Sequence, residues 1–204
     1  MKNKLLSLTL ILSTLMFISA TPDGYTPGSK ATDFKLKNVD GKMVSLSDYK
    51  DAKGFIITFT CNHCPFAVAY QDRIIALHNK YAPLGYPVVA INPNDKTKSP
   101  EDSYDEMIVR AKEKQFPFVY LYDESQEVAK AYGAMRTPHM YILKKEGNDL
   151  MVKYVGAIDD NADDASMVTK KYLENAMDEI LTGKEVTTNS TKAIGCTIKW
   201  SGTN

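Results

Sequence analysis

Three cysteines, Cys61, Cys64 and Cys196, are the residues of this chain best suited to covalent chemistry. A thiolate is a strong nucleophile, and two cysteines separated by two residues can form a small-ring disulfide. In such a pair, Cys61 would attack the disulfide of a substrate and Cys64 would resolve the mixed disulfide. The odd third cysteine is typical of a free thiol, of an intermolecular bond, or of a partner that changes during a reaction cycle.

The elements around the two cysteines favour an activated thiol. Residues 54–60 form a nearly continuous apolar run, which predicts a strand buried on both faces. Pro65 suits the first turn of a following helix. A thiol at this junction faces unpaired N–H groups and the positive end of the helix dipole, both of which stabilise a thiolate. His63 would add a positive charge or a hydrogen bond to the Cys61 thiolate, which makes the disulfide more oxidising.

Other interpretations of the paired cysteines are less well supported by the sequence. A zinc site needs four ligands, and the chain has no second C-x-x-C or H-x-x-x-H. The remaining ligand types, His78, His139 and Cys196, are scattered, so no metal site is predicted. A purely structural disulfide would gain little from closing so short a loop. Copper(I) binding by the two thiolates and His63 stays open as a non-enzymatic alternative.

The order of the predicted elements indicates an α/β fold with a mixed sheet covered by helices. Alternating residues around Asp40-Gly41 predict an N-terminal hairpin, with strands at 34–37 and 43–46. Further strands are predicted at 87–91, 118–121, 140–143 and 151–155. Helices are predicted from 65 to 81–85, at 103–114, at 125–132 before Gly133, and at 166–181 before Gly183.

The first twenty residues resemble a secretory signal peptide. Lys2 and Lys4 precede an uncharged apolar run over residues 5–18, and Ala20 supplies a small residue for cleavage. An uncleaved membrane anchor is the alternative, because the uncharged run to Pro22 is long enough to span a bilayer. We therefore predict a periplasmic or otherwise exported protein, cleaved near Ala20, with one domain over residues 21–183 and a polar tail over 184–204. Disulfides form and persist in such compartments.

The bulk composition agrees with a globular domain and argues against a nucleic-acid partner. Hydrophobic residues make up 44% of the chain, which is ample for one buried core. Lysine and arginine together number 25, as do aspartate and glutamate, so the formal net charge is zero. Nucleic-acid binders usually carry a basic patch that this balance does not suggest.

Several segments together resemble the thioredoxin superfamily, specifically its AhpC/TSA-like redoxin branch, over about residues 28–181. The resemblance implies a thioredoxin-like fold in which Pro138 is cis and lies against the C-x-x-C. It also implies that Thr137, Asn62 and Pro65 contact the substrate chain. The segments that carry the resemblance are residues 28–34, 40–46, 60–65, 120–124 and Thr137-Pro138.

Two features depart from the closer redoxin relatives or leave their role open. Arg136 stands where those relatives often carry a cysteine before the Thr-Pro pair. The tail over residues 194–200 resembles a C-terminal signature of the same subgroup. Its Cys196 is a candidate third redox cysteine, with a passive buried thiol and a dimer cross-link as alternatives. Trp200 would pin this tail to the domain.

The resemblance implies an exported thiol-disulfide oxidoreductase without a dissociable cofactor. Its substrates would be cysteine-containing exported proteins, and a separate redox partner would recycle it. His63 resembles the histidine of DsbA-type oxidants, whereas the domain order resembles reductases of the TlpA and ResA kind, so the direction of transfer stays open. A peroxidase of peroxiredoxin type is the alternative, but the P-x-x-x-T-x-x-C pattern fails: Gly54 replaces its proline for Cys61, and Ile57 and Cys61 fill its positions for Cys64.

Overall fold

The computed structural model describes residues 24–202, and the predicted signal peptide lies outside them. The described chain forms one large mixed sheet with helices on its faces. Its helices are α1 (Pro65–Tyr81), α2 (Tyr104–Glu113), α3 (Glu127–Tyr132) and α4 (Tyr172–Leu181). Its strands are β1 (Lys30–Ala31), β2 (Lys35–Asn38), β3 (Met43–Ser45), β4 (Gly54–Phe59), β5 (Val88–Asn92), β6 (Val119–Tyr122), β7 (Arg136–Thr137), β8 (His139–Glu146), β9 (Asp149–Gly156) and β10 (Cys196–Thr197).

The sheet topology confirms the predicted mixed α/β architecture. The strand order is β1-β9-β8-β4-β5-β6-β2-β3. Strands β4, β5 and β6 run parallel, joined by crossovers through α1 and α2, whereas β8 is antiparallel to β4. The N-terminal hairpin β2–β3 extends the sheet through an antiparallel pairing of β2 with β6.

Strand β4 lies in the centre of the core, as its apolar run predicts. All six of its residues are buried. Ile56 faces the cluster formed with α1 and α4, whereas Phe55, Ile57 and Phe59 face the opposite cluster with β8 and α3. A strand packed on both faces has little freedom to move, so the residues that follow it are held firmly.

The last helix is shorter than its sequence pattern predicts. It begins at Tyr172 rather than near residue 166, after a single 3-10 turn at Ala165–Met167. Asp160 accounts for the late start, because its carboxylate accepts the backbone N–H groups of Thr169 and Lys170 and so holds this stretch as a loop. Asp and Asn side chains commonly compete with helix formation in this way.

The C-terminal tail, predicted only as a polar segment, folds back onto the domain. Strand β10 pairs antiparallel with β7 in a separate two-stranded sheet. Ile198 is 2% exposed in the core, and Trp200 packs at its edge with Lys130 over its ring, as expected for a residue that pins the tail.

Over residues 24–202, no helix combines the length and apolarity required for a membrane span.

Candidate active site

The two cysteines of the C-x-x-C lie where the central strand gives way to a helix. Cys61 follows β4, Cys64 is the N-cap of α1, and Pro65 is the first residue of that helix. Pro65 is favoured there because its missing N–H would have no partner within the helix. Both sulfur-bearing residues are nearly inaccessible, at 2% exposure each.

The structure contains a different disulfide from the one that the C-x-x-C spacing suggests. Cys64 is bonded to Cys196, 132 residues away, with 6.1 Å between their Cα atoms. Cys61 is a free, buried thiol. The tail therefore brings the third cysteine into the same cluster as the other two, together with Ala67 and Phe66.

The Thr137–Pro138 segment lies directly against this cluster. The peptide bond between Thr137 and Pro138 is cis, as the resemblance implied. The Oγ1 atom of Thr137 is 3.2 Å from Cys61 Sγ, and its carbonyl oxygen is 3.4 Å from Cys64 Sγ. Residues 76 positions apart along the chain thus share one site.

The side chains of Asn62 and His63 hold the active-site loop rather than reaching outward together. Asn62 is 3% exposed, donates from Nδ2 to the carbonyl oxygen of Glu101 (2.8 Å) and accepts the Tyr120 hydroxyl (2.9 Å). The His63 ring lies half-exposed with Nδ1 3.0 Å from the Asp102 carboxylate. The sequence had assigned the His63 ring to the Cys61 thiolate, whereas here its ring nitrogen Nδ1 faces Asp102.

Asp102 is a buried carboxylate at the centre of a polar cluster beneath the loop. It is completely buried and accepts the backbone N–H of Asn62 (2.7 Å), the amide of Asn94 (2.7 Å) and the hydroxyl of Ser99 (2.7 Å). A buried carboxylate requires several donors of this kind to offset its desolvation. The segment between β5 and α2, which the sequence presents as a polar loop, is therefore a packed support for the site.

The environment of Cys61 disfavours its thiolate in this disulfide state. Burial in the first place, and the negative charge of Asp102 in the second, raise the pKa of the Cys61 thiol from 9.0 to about 11. The hydroxyl of Thr137 and the backbone N–H groups of Cys64 and His63 act in the opposite direction, which is the helix N-terminal effect expected from the sequence. Because burial and the carboxylate prevail, Cys61 is a protonated, resting thiol here.

This raised pKa predicts slow alkylation of Cys61 in the protein that carries the Cys64–Cys196 disulfide. At pH 8 the thiolate fraction should be roughly a hundredfold lower than that of an unperturbed cysteine. We expect the iodoacetamide reaction rate to rise about tenfold per pH unit from pH 7 to 10 without a plateau. The same protein unfolded in denaturant without reductant is the control, because its Cys61 has an ordinary pKa. A plateau near pH 8–9 in the folded protein would contradict the assignment.

Several residues of the site give no recognisable signal in the sequence. Asp102, Asn94 and Ser99 lie in a polar stretch that has no periodicity, and Asp102 contacts Asn62 and His63, which are 40 and 39 positions away along the chain. Gln126 binds the tail, with Nε2 donating to the carbonyl of Lys199 and Oε1 accepting the N–H of Ser201. Its left-handed backbone, with φ of 62°, is unusual for a non-glycine residue and marks a constrained position.

Within the described range, 24–202, no group of three or more histidine, cysteine, aspartate or glutamate residues is arranged so that it could hold a metal ion.

Solved structures with the same architecture include two uncharacterised bacterial proteins. One, from Geobacillus kaustophilus, is 41% identical, with a TM-score of 0.79 over 91% of this chain and 96% of that one. The other, a hypothetical protein from Sinorhizobium meliloti 1021, is 35% identical, with a TM-score of 0.80 over 88% and 97%. The exposed lipoprotein thioredoxin Etrx1 of Streptococcus pneumoniae matches with a TM-score of 0.53 at 22% identity, over 72% and 99% of the two chains, which shows the thioredoxin-like fold.

The sequence model of the AhpC/TSA family matches residues 27–149, which include β4, the C-x-x-C, the polar cluster and the cis-proline. The chain belongs to the AhpC/TSA family. Among curated relatives, thiol-disulfide oxidoreductase ResA of Bacillus thuringiensis subsp. konkukian (strain 97-27) is 25% identical over 123 residues, covering 59% of this chain. Peroxiredoxin Q of Triticum aestivum is 28% identical over 139 residues, covering 63% of this chain. The matches cover only 65% and 57% of those relatives, so less than two thirds of each is represented here.

Proposed function

We propose that this AhpC/TSA family protein is a thiol-disulfide oxidoreductase whose redox centre consists of Cys61, Cys64 and Cys196. The observation that carries the proposal is the position of a free thiol beside a disulfide, with all three cysteines against the segment at Pro138. A structural staple needs only two cysteines. A third thiol in the same cluster permits exchange between two alternative disulfides.

The proposed cycle begins with the fully reduced protein. The Cys61 thiolate attacks a substrate disulfide, forming a mixed disulfide and releasing one substrate thiolate. Cys64 then attacks the Cys61 sulfur, which releases the second substrate thiolate and forms the Cys61–Cys64 bond. Finally the Cys196 thiolate attacks the Cys64 sulfur, forming the Cys64–Cys196 bond and releasing Cys61, which takes up a proton. Each step conserves the number of disulfides and is reversible, so the same groups can reduce or oxidise a substrate.

The burial of Cys61 gives the last step a direction. Once the Cys64–Cys196 bond has formed, the pKa of Cys61 is raised by burial and by Asp102, so the thiol is a poor nucleophile towards that bond. The oxidised protein therefore rests in the form with the Cys64–Cys196 disulfide, which lies away from the surface. A dithiol partner must open the Cys64–Cys196 bond before another cycle begins.

We further propose that the protein acts outside the cytoplasm. Two arguments support this location. The pattern of residues 1–20 is typical of a secretory signal peptide. A resting form that contains a disulfide would also persist in an oxidising compartment. The substrates would then be cysteine-containing exported proteins, and a separate redox protein would recycle the site. Thiol-disulfide exchange needs no dissociable cofactor.

Equilibration in glutathione buffers, followed by acid quenching and mass-spectrometric mapping, tests the three-cysteine centre. In the wild type we expect both Cys61–Cys64 and Cys64–Cys196 to be populated, and only Cys61–Cys64 in the Cys196→Ser variant. A potential near roughly −120 mV would identify an oxidant, and one near roughly −270 mV a reductant. If no disulfide among the three cysteines forms at any poise, the proposal is wrong.

Peroxide reduction is a second candidate because peroxiredoxin Q is among the matched relatives. A peroxide-reactive cysteine needs a stable, accessible thiolate. Cys61 is 2% exposed and its pKa is raised to about 11, while Cys64 is bonded. Cys61 is therefore not poised for peroxide attack while the Cys64–Cys196 disulfide is present, and the clustering of three cysteines supports disulfide exchange as the leading proposal.

A further inference from the structure

The edge of β7, beside the redox centre, is covered by the chain's own residues 195–198. Cys196 is opposite Thr137 and Thr197 is opposite Arg136 in antiparallel register. The N–H of Ile198 continues the pairing by donating to the carbonyl oxygen of Met135 (3.1 Å). An extended segment that adds a strand to a free edge is a common mode of peptide recognition. The docked tail therefore shows that the edge of β7 can bind an extended segment as an additional strand.

Gly195 is the point of closest approach between the tail and this edge. A Cβ atom built on Gly195 would overlap the carbonyl group of Thr137 and the nitrogen of Pro138, both of which are backbone and cannot turn aside. The guanidinium of Arg136 donates from Nη1 to the Gly195 carbonyl oxygen at 2.9 Å. The edge thus accepts a residue without a side chain at this position and fixes its carbonyl group.

We propose that this edge is a selective site for extended partner segments in which glycine directly precedes the reactive cysteine, and that residues 195–197 are its resident occupant. The proposal rests on the thiol-disulfide function argued above and specifies the class of partner that exchanges with Cys64 in the place of Cys196, whereas the substrate disulfide of the proposed cycle is opened by Cys61. The carbonyl of Thr137 sets the selectivity for glycine, and Arg136 holds the carbonyl group of that glycine. A partner segment binds in the same register, with its cysteine at the place of Cys196 and its sulfur directed at Cys64.

The exchange at this site is balanced by the protein's own disulfide. The thiolate of the bound segment attacks Cys64 Sγ of the Cys61–Cys64 bond. A bond forms between Cys64 and the segment, the Cys61–Cys64 bond breaks, and Cys61 leaves as a thiolate that takes up a proton. No external oxidant is consumed.

The resident tail competes strongly because it is anchored beyond Cys196. Ile198 is buried, the N–H of Lys199 donates to Asn94 Oδ1 (2.9 Å), and Gln126 donates to the Lys199 carbonyl (2.8 Å). Tethering of this kind keeps a high effective concentration of residues 195–197 at the edge. A partner binds readily only when these residues are lifted from β7.

Full-chain variants that lack Cys196 test the selectivity without competition from the internal disulfide. In Cys196→Ser the tail stays docked, whereas the added Gly195→Ala change should lift it from Thr137. The probes are an eight-residue peptide with the sequence of residues 193–200 and the same peptide with alanine before its cysteine. With the Cys61–Cys64 disulfide preformed, mass spectrometry after acid quenching measures the rate of peptide attachment to Cys64.

In the Gly195→Ala, Cys196→Ser protein we expect the glycine peptide to react at least about tenfold faster than the alanine peptide, because overlap of a Cβ with backbone is poorly relieved. The glycine peptide should also react at least about tenfold faster with this double variant than with the Cys196→Ser protein. The control, Thr197→Ala with Cys196→Ser, alters an exposed side chain of the same strand and should behave like Cys196→Ser. Adding Arg136→Ala should slow the attachment of both peptides, because both present the carbonyl group that Arg136 binds.

Equal rates for the two peptides in the lifted-tail variant would overturn the selective site. Reduced glutathione, which contains a cysteine but no matching extended segment, separates this result from failure of the proposed function. If glutathione opens the Cys61–Cys64 bond and the peptides react alike, only the selectivity is wrong. If neither glutathione nor a peptide opens it, the thiol-disulfide function itself fails.

Discussion

Replacement of Cys64 by serine should abolish turnover while preserving the first capture of a substrate. Cys64 takes part in both disulfides of the proposed cycle, so its loss removes both the resolution of the mixed disulfide on Cys61 and the exchange with Cys196. We expect the rate of dithiothreitol-driven reduction of a disulfide-bonded peptide to fall by about a thousandfold or more, the scale seen when a member of a catalytic unit is removed. The mixed disulfide on Cys61 should accumulate and be visible as a mass adduct.

Two further variants separate this effect from a structural one. Ala69→Ser introduces serine at an exposed position on α1, and this variant should turn over substrate like the wild type. Cys196→Ser removes only one of the two disulfides, so it should reduce turnover less than Cys64→Ser does. Wild-type turnover in Cys64→Ser would mean that Cys61 and Cys196 exchange directly, contrary to the cycle proposed here.

Replacement of Asp102 by alanine should produce the largest loss of stability among substitutions near the site. The change leaves the N–H of Asn62, the amide of Asn94 and the hydroxyl of Ser99 buried without their acceptor. Unsatisfied buried donors cost about 1–3 kcal/mol each, so we expect the free energy of unfolding to fall by about 3–5 kcal/mol. Urea unfolding should show a lower midpoint with an unchanged slope.

Glu101→Ala is the matched control for this change. It removes a carboxylate one residue away, but the Glu101 side chain is exposed and only its backbone carbonyl contacts Asn62. We expect it to alter the free energy of unfolding by less than about 0.5 kcal/mol. A loss below about 1 kcal/mol in Asp102→Ala would show that water or neighbouring groups replace the carboxylate.

Replacement of Asp102 by alanine should also make Cys61 more reactive in the molecules that remain folded. Asp102 raises the pKa of the Cys61 thiol through its negative charge, so its removal lowers that pKa. The polar cluster thus affects both the rigidity of the active-site loop and the ionisation of its free thiol.

The architecture was largely predictable because its elements have strong local patterns. The apolar run that ends before Cys61 predicted a central strand, and β4 is buried on both faces. Pro65 predicted the start of α1, and Gly133 predicted the end of α3, where its φ of 69° requires a left-handed residue. Sequence reasoning did not predict the late start of α4 after the Asp160 loop or the short strands β1, β7 and β10, whose pairing depends on distant parts of the chain.

By itself, the sequence determined that this protein has a thiol pair at a strand–helix junction in an α/β domain, and its resemblance to the AhpC/TSA-like redoxins implied the cis-proline segment opposite that pair. These features depend on local spacing and on recognisable segments. Only the tertiary structure decided that Cys64 is bonded to Cys196, that Asp102 lies under the loop, and that Gly195 contacts Thr137. Such pairings depend on how the tail and the polar insertion pack against distant parts of the chain, and neither segment has a periodic pattern that specifies its partners.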